Sequence, residues 1–281
     1  MSCDVALVVH GGRVEARALA DHTATLLRER QLACQIISMA SSAAGGEEHE
    51  LDAVAPRLIV SLGGDGTFLR ASSRAHRLDV PILGVNFGRV GYLLDVPPTE
   101  LHSVILQALD GALPIEHRAV LSLAVHHDGS NSETHIAVNE LSLEKTTPGH
   151  VVRISTQIDG EQFLNFAADG VLVATPTGST AYNLSAGGPV VAPSVDCIIL
   201  TPVAPHFVVD RSVVLSGQQT VRLEVVGDRP AVCVVDGTTI DTLNPGDHVV
   251  CTRDERWLKV VTLSERGIGR RLREGLRQGH E

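Results

Sequence analysis

The sequence predicts an α/β domain followed by a mainly-β domain. Three observations predict it. Apolar strand patterns alternate with helical patterns over the first ~115 residues, which implies a largely parallel sheet covered on both faces. Beyond Pro114 strand follows strand, with Asp-Gly pairs between them at the positions of tight hairpin turns. The length, 281 residues, is roughly two domains' worth at ~150 residues each.

The elements follow in order. Val5 to Val9 is a short β-branched apolar run, read as a buried strand and broken by Gly11-Gly12. Residues 13–31 carry alanines and leucines at helical spacing. Cys34 to Ser38 is a second strand, and Ala40 to Glu50 a polar surface loop. Leu58 to Leu62 is a third strand, ending in Gly63-Gly64-Asp65-Gly66 and a helix over Thr67 to Arg74. Pro81 to Val85 is a fourth. Thr99 to Leu109 follows a Pro-Pro pair and puts Leu101, Val104, Ile105, Ala108 and Leu109 on one helical face. This makes a Rossmann-like parallel sheet.

In the second part, Leu121 to His127 and Glu133 to Leu143 flank Asp128-Gly129. Val151 to Ile158 and Gln162 to Ala167 flank Asp159-Gly160, and Ala231 to Val235 and Thr238 to Thr242 flank Asp236-Gly237. Each Asp-Gly supplies the positive φ that a hairpin turn needs. The expectation is an antiparallel sheet or sandwich. The boundaries expected are 1–115, 116–250 and a C-terminal segment 251–281 that can return to the first domain. Within that segment Arg266 to Arg277 is a helix or a loose tail.

Composition excludes several functions. With Asp plus Glu at 33 and Lys plus Arg at 23, the formal net charge is -10, so nothing in the bulk charge attracts nucleic acid or an anionic membrane. The only lysines are Lys145 and Lys259, and neither stands in a G-x-x-x-x-G-K-[ST] loop, which removes a Walker-type phosphate site. With one Trp and two Tyr there is no aromatic surface for stacking bases. The five cysteines are odd in number and never spaced C-x-x-C, which fits a reducing compartment and argues against both disulfides and zinc. No apolar run approaches the ~20 residues of a membrane span. The N-terminus lacks a basic segment before its apolar run, so a cytoplasmic protein is expected.

Three segments carry candidate chemistry. The first is Ser61-Leu62-Gly63-Gly64-Asp65-Gly66-Thr67, where a buried strand passes into a helix. Ligands of open α/β sheets sit beyond the carboxyl ends of strands, glycines allow close backbone approach, and helix-start amides favour anions. Asp65 would repel phosphate there unless it binds a metal or takes a proton; a plain helix-capping turn is the alternative. It is not a G-x-G-x-x-G fingerprint, since position 69 is leucine. The second runs from Asp169 to Pro189 and contains Thr175-Pro176-Thr177-Gly178-Ser179-Thr180-Ala181-Tyr182, an apolar strand entering a block of small and hydroxylated residues. Hydroxyls and helix-start amides can hold a pyrophosphate or ribose without lysine; an elaborate N-cap is the alternative. The third is Asn139-Glu140, read as part of an alternating strand, where an amide beside a carboxylate can bind vicinal hydroxyls or a purine amino group. Such a pair is also common on exposed surfaces.

Taken together, in this order and approximate spacing, the three segments resemble the NAD kinase family. So do Gly84-Val85-Asn86-Phe87-Gly88-Arg89-Val90-Gly91-Tyr92-Leu93, Thr201-Pro202-Val203-Ala204-Pro205-His206 and Asp236-Gly237, and the likeness spans about residues 5 to 260. The first motif alone is shared with lipid kinases and phosphofructokinases. The resemblance implies a two-domain, homodimeric or homotetrameric enzyme that uses ATP or another phosphoryl donor to phosphorylate the 2′-hydroxyl of the adenosine ribose of NAD. It implies Asp65 as general base or hydroxyl-orienting residue. It implies Gly63, Gly64, Gly66, Thr67 and Arg70 on the nucleotide phosphates, Asp65 and Gly66 also against NAD, Asn139 and Glu140 on the NAD adenosine, and His150 as another NAD contact. Asp169 would hold the nicotinamide half. Thr180, Ala181, Tyr182 and Ser185 would line the dinucleotide, with Tyr92 and Tyr182 as flat surfaces near the bases. Mg²⁺ is expected to arrive with ATP rather than in a protein-built cage. Phe207-Val208-Val209-Asp210-Arg211-Ser212 departs from the family's usual Arg-Pro version, and Thr238 stands where many members have Gln.

Two other readings stay open on the residues alone. A lipid kinase would need an apolar entry surface, which the long Thr/Ser block disfavours. A non-catalytic dinucleotide sensor could dispense with a base at Asp65, yet one is present.

Overall fold

A computed structural model of the chain describes residues 3–39, 55–87, 94–127, 132–206, 210–263 and 269. The chain divides into two compact units, 1–117 with 258–281, and 118–257. The Ala40–Glu50 loop, the Asp128-Gly129 turn, Tyr92, Phe207–Val209 and, apart from Gly269, the Arg266–Arg277 segment lie outside the described residues.

The first unit begins with β1 (Val5–His10), α1 (Val14–Glu29), β2 (Cys34–Met39), β3 (Leu58–Gly63), α2 (Asp65–Leu78), β4 (Ile82–Asn86), α3 (Leu101–Leu109) and β5 (Ile115–Arg118). Strands β2, β1, β3 and β4 are neighbours in that order, and each pair is parallel. Both faces of this sheet are covered, which explains why β1 and β3 are apolar almost throughout. On one face Leu7, Leu58, Val60 and Leu62 pack with Ala20, Ala24 and Leu27 of α1 and Leu101, Val104 and Ile105 of α3. Strand side chains alternate, so Ile59, Ser61 and Gly63 face the other side, towards α2. Phe68 of α2 is fully buried; burying such a ring is worth about 1.5–3 kcal/mol.

Helix α2 starts two residues earlier than the pattern predicts and runs four longer. Gly64, extended at φ −94° and ψ −173°, is its N-cap, so Asp65 is the first helical residue rather than a loop residue. The helix ends where Asp79 takes a left-handed φ of 56° and its N–H reaches back to His76 O.

The second unit contains β6 (Leu121–His126), β7 (Glu133–Ala137), β8 (Glu140–Lys145), β9 (Val152–Ile158), β10 (Glu161–Ala168), β11 (Gly170–Ala174), the single-turn α4 (Tyr182–Ser185), β12 (Cys197–Val203), β13 (Val213–Ser216), β14 (Val221–Val226), β15 (Ala231–Val235), β16 (Thr238–Leu243) and β17 (His248–Arg253). They form two antiparallel six-stranded sheets, β10-β9-β14-β17-β6-β7 and β13-β12-β11-β8-β15-β16. Inward side chains of both sheets, among them Leu123, Ile154 and Leu223 on one and Leu143, Val173 and Leu200 on the other, make a single sandwich core. At the two described Asp-Gly turns both residues have positive φ: 51° and 81° at Asp159-Gly160, 47° and 76° at Asp236-Gly237.

One expected strand is in fact two. Glu133 to Leu143 is expected as one strand, but the chain bends at Val138-Asn139: β7 belongs to one sheet and β8 to the other. The cause is tertiary, and it lies in Asp236, described below.

Finally, β18 (Leu258–Val261) returns to the first unit. It pairs parallel with β4 and completes the first sheet as β2-β1-β3-β4-β18-β5. Thr262 N–H donates to Pro114 O at 3.0 Å just beyond it.

Candidate functional site

In the first unit the candidate site is the turn between β3 and α2. Gly63 ends the strand, and a Cβ there would stand 2.7 Å from Thr67 Cβ and 3.0 Å from its Cγ2, so only glycine lets Thr67 fold back over the turn. Gly64 and Gly66 are different: a Cβ at either would meet nothing within 4 Å. The backbone is therefore open where the first helical amides lack intrahelical acceptors. No side chain caps this helix. Asp65 thus does not spend its carboxylate as an N-cap, although its charge still lies at the positive end of the helix. The residue is exposed, but desolvation of its carboxyl group pushes its pKa above the ordinary carboxylate range. Thr67 is buried, and its Oγ1 has no hydrogen-bond partner; Arg70 is half-buried one turn on.

In the second unit the site is built on the outer face of the sheet that contains β8. Along β8 Leu141 and Leu143 point into the core, while Glu140, Ser142 and Glu144 alternate to the outer face. Register places Ala174 beside Glu140 and Leu172 beside Ser142, with Thr201 next to Leu172. The loop after β11 lies over this face and is fastened by its own hydroxyls. Thr175 Oγ1 donates to Val138 O at 2.6 Å and accepts Gly178 N–H at 3.0 Å. Ser179 Oγ donates to Pro176 O at 2.6 Å and accepts Val191 N–H at 3.0 Å. Thr201 Oγ1 donates to Asn183 Oδ1 at 2.7 Å, and Asn183 Nδ2 donates to Pro189 O at 3.1 Å. Hydroxyls that looked available for phosphate are scaffold at Thr175 and Ser179; Thr180 bonds within its own turn, to Thr177 O at 3.3 Å.

Asn139 and Glu140 are buried, 9% and 7% exposed, so they are no exposed surface pair. They meet the loop directly. Thr175 N–H donates to Asn139 O at 2.8 Å, and a Cβ on Gly178 would stand 2.5 Å from Asn139 C and 2.7 Å from its Cα. Glycine at 178 is a requirement of that contact rather than of a phosphate. Beneath the corner, the Asp236 carboxylate accepts the amides of Val138, Asn139 and Glu140 at 2.8, 2.7 and 3.1 Å. Those donors face Asp236 instead of a sheet neighbour, which is why the expected strand breaks here.

The electrostatics of this corner are acidic. Burial pushes Glu140 up to about 8; the charges of Asp236 and Glu144 add to the rise, and the Tyr182 amide opposes it. Glu140 Oε2 is buried with no hydrogen-bond partner. Burial also raises the Tyr182 hydroxyl, with Glu144, Asp169 and Glu140 contributing, so ring and carboxylates lie in one neighbourhood. Asp169, at the start of β11, is paired with Lys145 Nζ at 2.6 Å. Tyr182 and Ser185 are exposed, and Thr180 and Ala181 half-buried, along the rim of this loop.

The second unit thus gathers Asn139, Glu140, Asp169 and the rim from Thr180 to Ser185. His150 is exposed on the β8–β9 connection, with no side-chain bond to this cluster. Thr238 is half-buried at the start of β16. Tyr92 lies outside the described residues. Sequence reasoning missed Ser142, Glu144 and Lys145; their signal was the alternation Glu-Leu-Ser-Leu-Glu through β8.

Residues 34–113 match the ATP-NAD kinase N-terminal domain family and residues 138–263 the ATP-NAD kinase C-terminal domain family. The chain is 36% identical to the NAD kinase of Heliobacterium modesticaldum, covering 79% of each sequence. It is 32% identical to the bifunctional NADP phosphatase/NAD kinase of Methanocaldococcus jannaschii over 91% of this chain; it spans 44% of that longer protein. A crystal structure of yeast NADH kinase complexed with NADH has the same fold, with TM-score 0.84 at 24% identity, covering 100% of this chain and 89% of the other. With both domain families matched in chain order and a relative of this identity aligned along most of its length, the chain belongs to the ATP-NAD kinase family, whose members phosphorylate NAD to NADP.

Proposed function

We propose that the protein transfers the γ-phosphoryl group of ATP to the 2′-hydroxyl of the adenosine ribose of NAD. The adenosine half is held by Asn139, Glu140, Tyr182 and the rim residues Thr180, Ala181 and Ser185. His150 and Tyr92 are further NAD contacts. Asp169, steered by Lys145, faces the nicotinamide half. The backbone of Gly63, Gly64 and Gly66 approaches the triphosphate, with Thr67 shaping the turn and Arg70 supplying positive charge.

The 2′-oxygen attacks the γ-phosphorus in line, the bond from that phosphorus to the β,γ-bridging oxygen breaks, and ADP departs. The hydroxyl proton passes to the Asp65 carboxylate as the oxygen becomes acidic, and the raised pKa of Asp65 makes it a better acceptor than an ordinary carboxylate. Helix-start amides at Asp65 and Gly66 meet developing phosphate charge.

A divalent cation is expected with the nucleotide. Among the described residues no group of metal-ligating side chains forms a cage. One carboxylate beside open backbone fits an ion that arrives on the phosphates and keeps its waters. When bound, Mg²⁺ supplies charge neutralisation of the triphosphate. The expected assembly is a homodimer or homotetramer, in the cytoplasm. No described helix is long and apolar enough to cross a membrane.

The observation that carries this reading is the seating of Asn139-Glu140 on the Thr175–Tyr182 loop, because it joins two motifs distant in sequence into one polar cluster. The test is a coupled assay of purified protein with NAD, MgATP and an NADP-specific dehydrogenase. Steady NADP production is expected; no signal with ATP, another triphosphate or polyphosphate would overturn the reading.

A further inference from the structure

Asp236 stands at the first position of the β15–β16 turn, at φ 47°, before Gly237 at 76°. A turn of this kind accepts Asn or Gly equally well. The carboxylate, however, does more than shape the turn. Its two oxygens take the N–H groups of Val138, Asn139 and Glu140, three successive residues at the point where the chain crosses between sheets. Asp236 N–H in turn donates to Glu140 O at 3.0 Å. Four hydrogen bonds therefore tie this one residue to the corner that aims Asn139 and Glu140. Asparagine could not replace it in kind, since its amide nitrogen would face a donor.

We propose that Asp236 is a positioning residue for NAD: it fixes the backbone of Val138–Glu140 before the substrate arrives. This rests on the reading of Asn139 and Glu140 as NAD contacts. The geometry gives this role, because side-chain direction at 139 and 140 follows from a backbone with no free amide to rearrange.

The test compares Asp236→Asn and Asn139→Ala with wild type in steady-state kinetics over NAD concentration. Asp236→Asn is expected to raise KM for NAD by about tenfold while kcat changes by less than about threefold, since pre-organisation rather than chemistry is lost. A merely structural role would lower the amount of active enzyme, and with it apparent kcat, without moving KM. If Asn139→Ala raises KM but Asp236→Asn leaves KM unchanged, the positioning role is overturned. If Asn139→Ala also leaves KM unchanged, the NAD reading of the corner itself fails. Should Asp236→Asn not fold, amide exchange on the wild-type protein decides: residues 138–140 are expected to be protected without NAD, and free exchange until NAD is added would overturn the proposal.

Discussion

Replacing Gly178 by alanine separates fold from phosphate chemistry. The new Cβ would lie 2.5 Å from Asn139 C and 2.7 Å from its Cα, whereas ordinary carbon contacts begin near ~3.5 Å. Loop and corner must therefore part by about 1 Å. Neither side can give freely. The corner is tied down by Asp236, and the loop by Thr175 Oγ1 to Val138 O at 2.6 Å, Thr175 N–H to Asn139 O at 2.8 Å and Gly178 N–H to Thr175 Oγ1 at 3.0 Å. Losing two of these buried bonds at ~1 kcal/mol each, and leaving one group unsatisfied at ~1–3 kcal/mol, comes to about 3–5 kcal/mol. For a unit of this size that lowers Tm by about 10 °C. KM for NAD should rise at least about tenfold, because Asn139 moves with its backbone.

Gly66→Ala is the contrast. A Cβ there meets nothing within 4 Å, and a helical alanine replaces a glycine, so Tm should hold or rise slightly. Turnover should fall, since the methyl occupies the space through which phosphate approaches the backbone. Scanning calorimetry and NADP-coupled kinetics on both variants measure this. If Gly178→Ala melts within about 2 °C of wild type with KM for NAD unchanged, the described contact does not govern the site.

Further outcomes follow from single groups. Asp65→Asn should cut kcat by about 100-fold or more while NAD affinity, measured by calorimetric titration, stays within about threefold; near-normal turnover would remove Asp65 as the base. Glu140 titrates at about 8 in the folded protein against 4.5 in a free chain, so between these values the folded state keeps a proton that the unfolded chain has lost. Its stabilising contribution is complete below 4.5 and is lost as pH rises through 8, a swing of a few kcal/mol that Glu140→Gln should abolish in denaturant titrations at several pH values. His127 bridges Asp247 at 3.0 Å and Asp241 at 2.7 Å, and the hydrogen bonds to Asp247 and then Asp241 raise its pKa. Here stability is greatest below the free histidine value and fades as pH climbs past the raised one. His127→Gln should therefore cost most at about pH 6, by about 1 kcal/mol or less because water reaches the half-buried ring, and least at about pH 9.

The fold was legible where local chemistry and tertiary structure agree. The buried runs Val5–Val9 and Leu58–Leu62 could be strands only if both faces of their sheet were covered, and they are. Asp159-Gly160 and Asp236-Gly237 demanded hairpins because their backbones need positive φ. The helix after Gly64 was underestimated because Gly66 lowers helical propensity, while packing of Phe68, Ala71 and Ala75 on the sheet outweighs it.

The break at Val138-Asn139 was not legible, and the reason is instructive. Alternation lapses there, with Ala137-Val138 both apolar and Asn139-Glu140 both polar, but so brief a lapse reads equally as a bulge and carries no mark that the chain changes sheet. The mark sits about a hundred positions away in Asp236, whose presence the hairpin already explains. A residue that satisfies a local rule hides its second use. The hydroxyl block misled in the opposite sense: its serines and threonines advertise phosphate binding, yet Thr175 and Ser179 are turned inward to fasten the loop. The chain has only two lysines, Lys145 and Lys259, and the helix after the first turn carries one arginine close by, Arg70. Open glycine backbone at 64 and 66 in the first unit, and a buried amide–carboxylate pair held by Asp236 in the second, are the groups on which the proposed reaction rests. Both depend on backbone placement more than on side-chain charge. That is why the variants expected to discriminate best are a glycine-to-alanine pair and a buried aspartate, rather than any arginine or lysine.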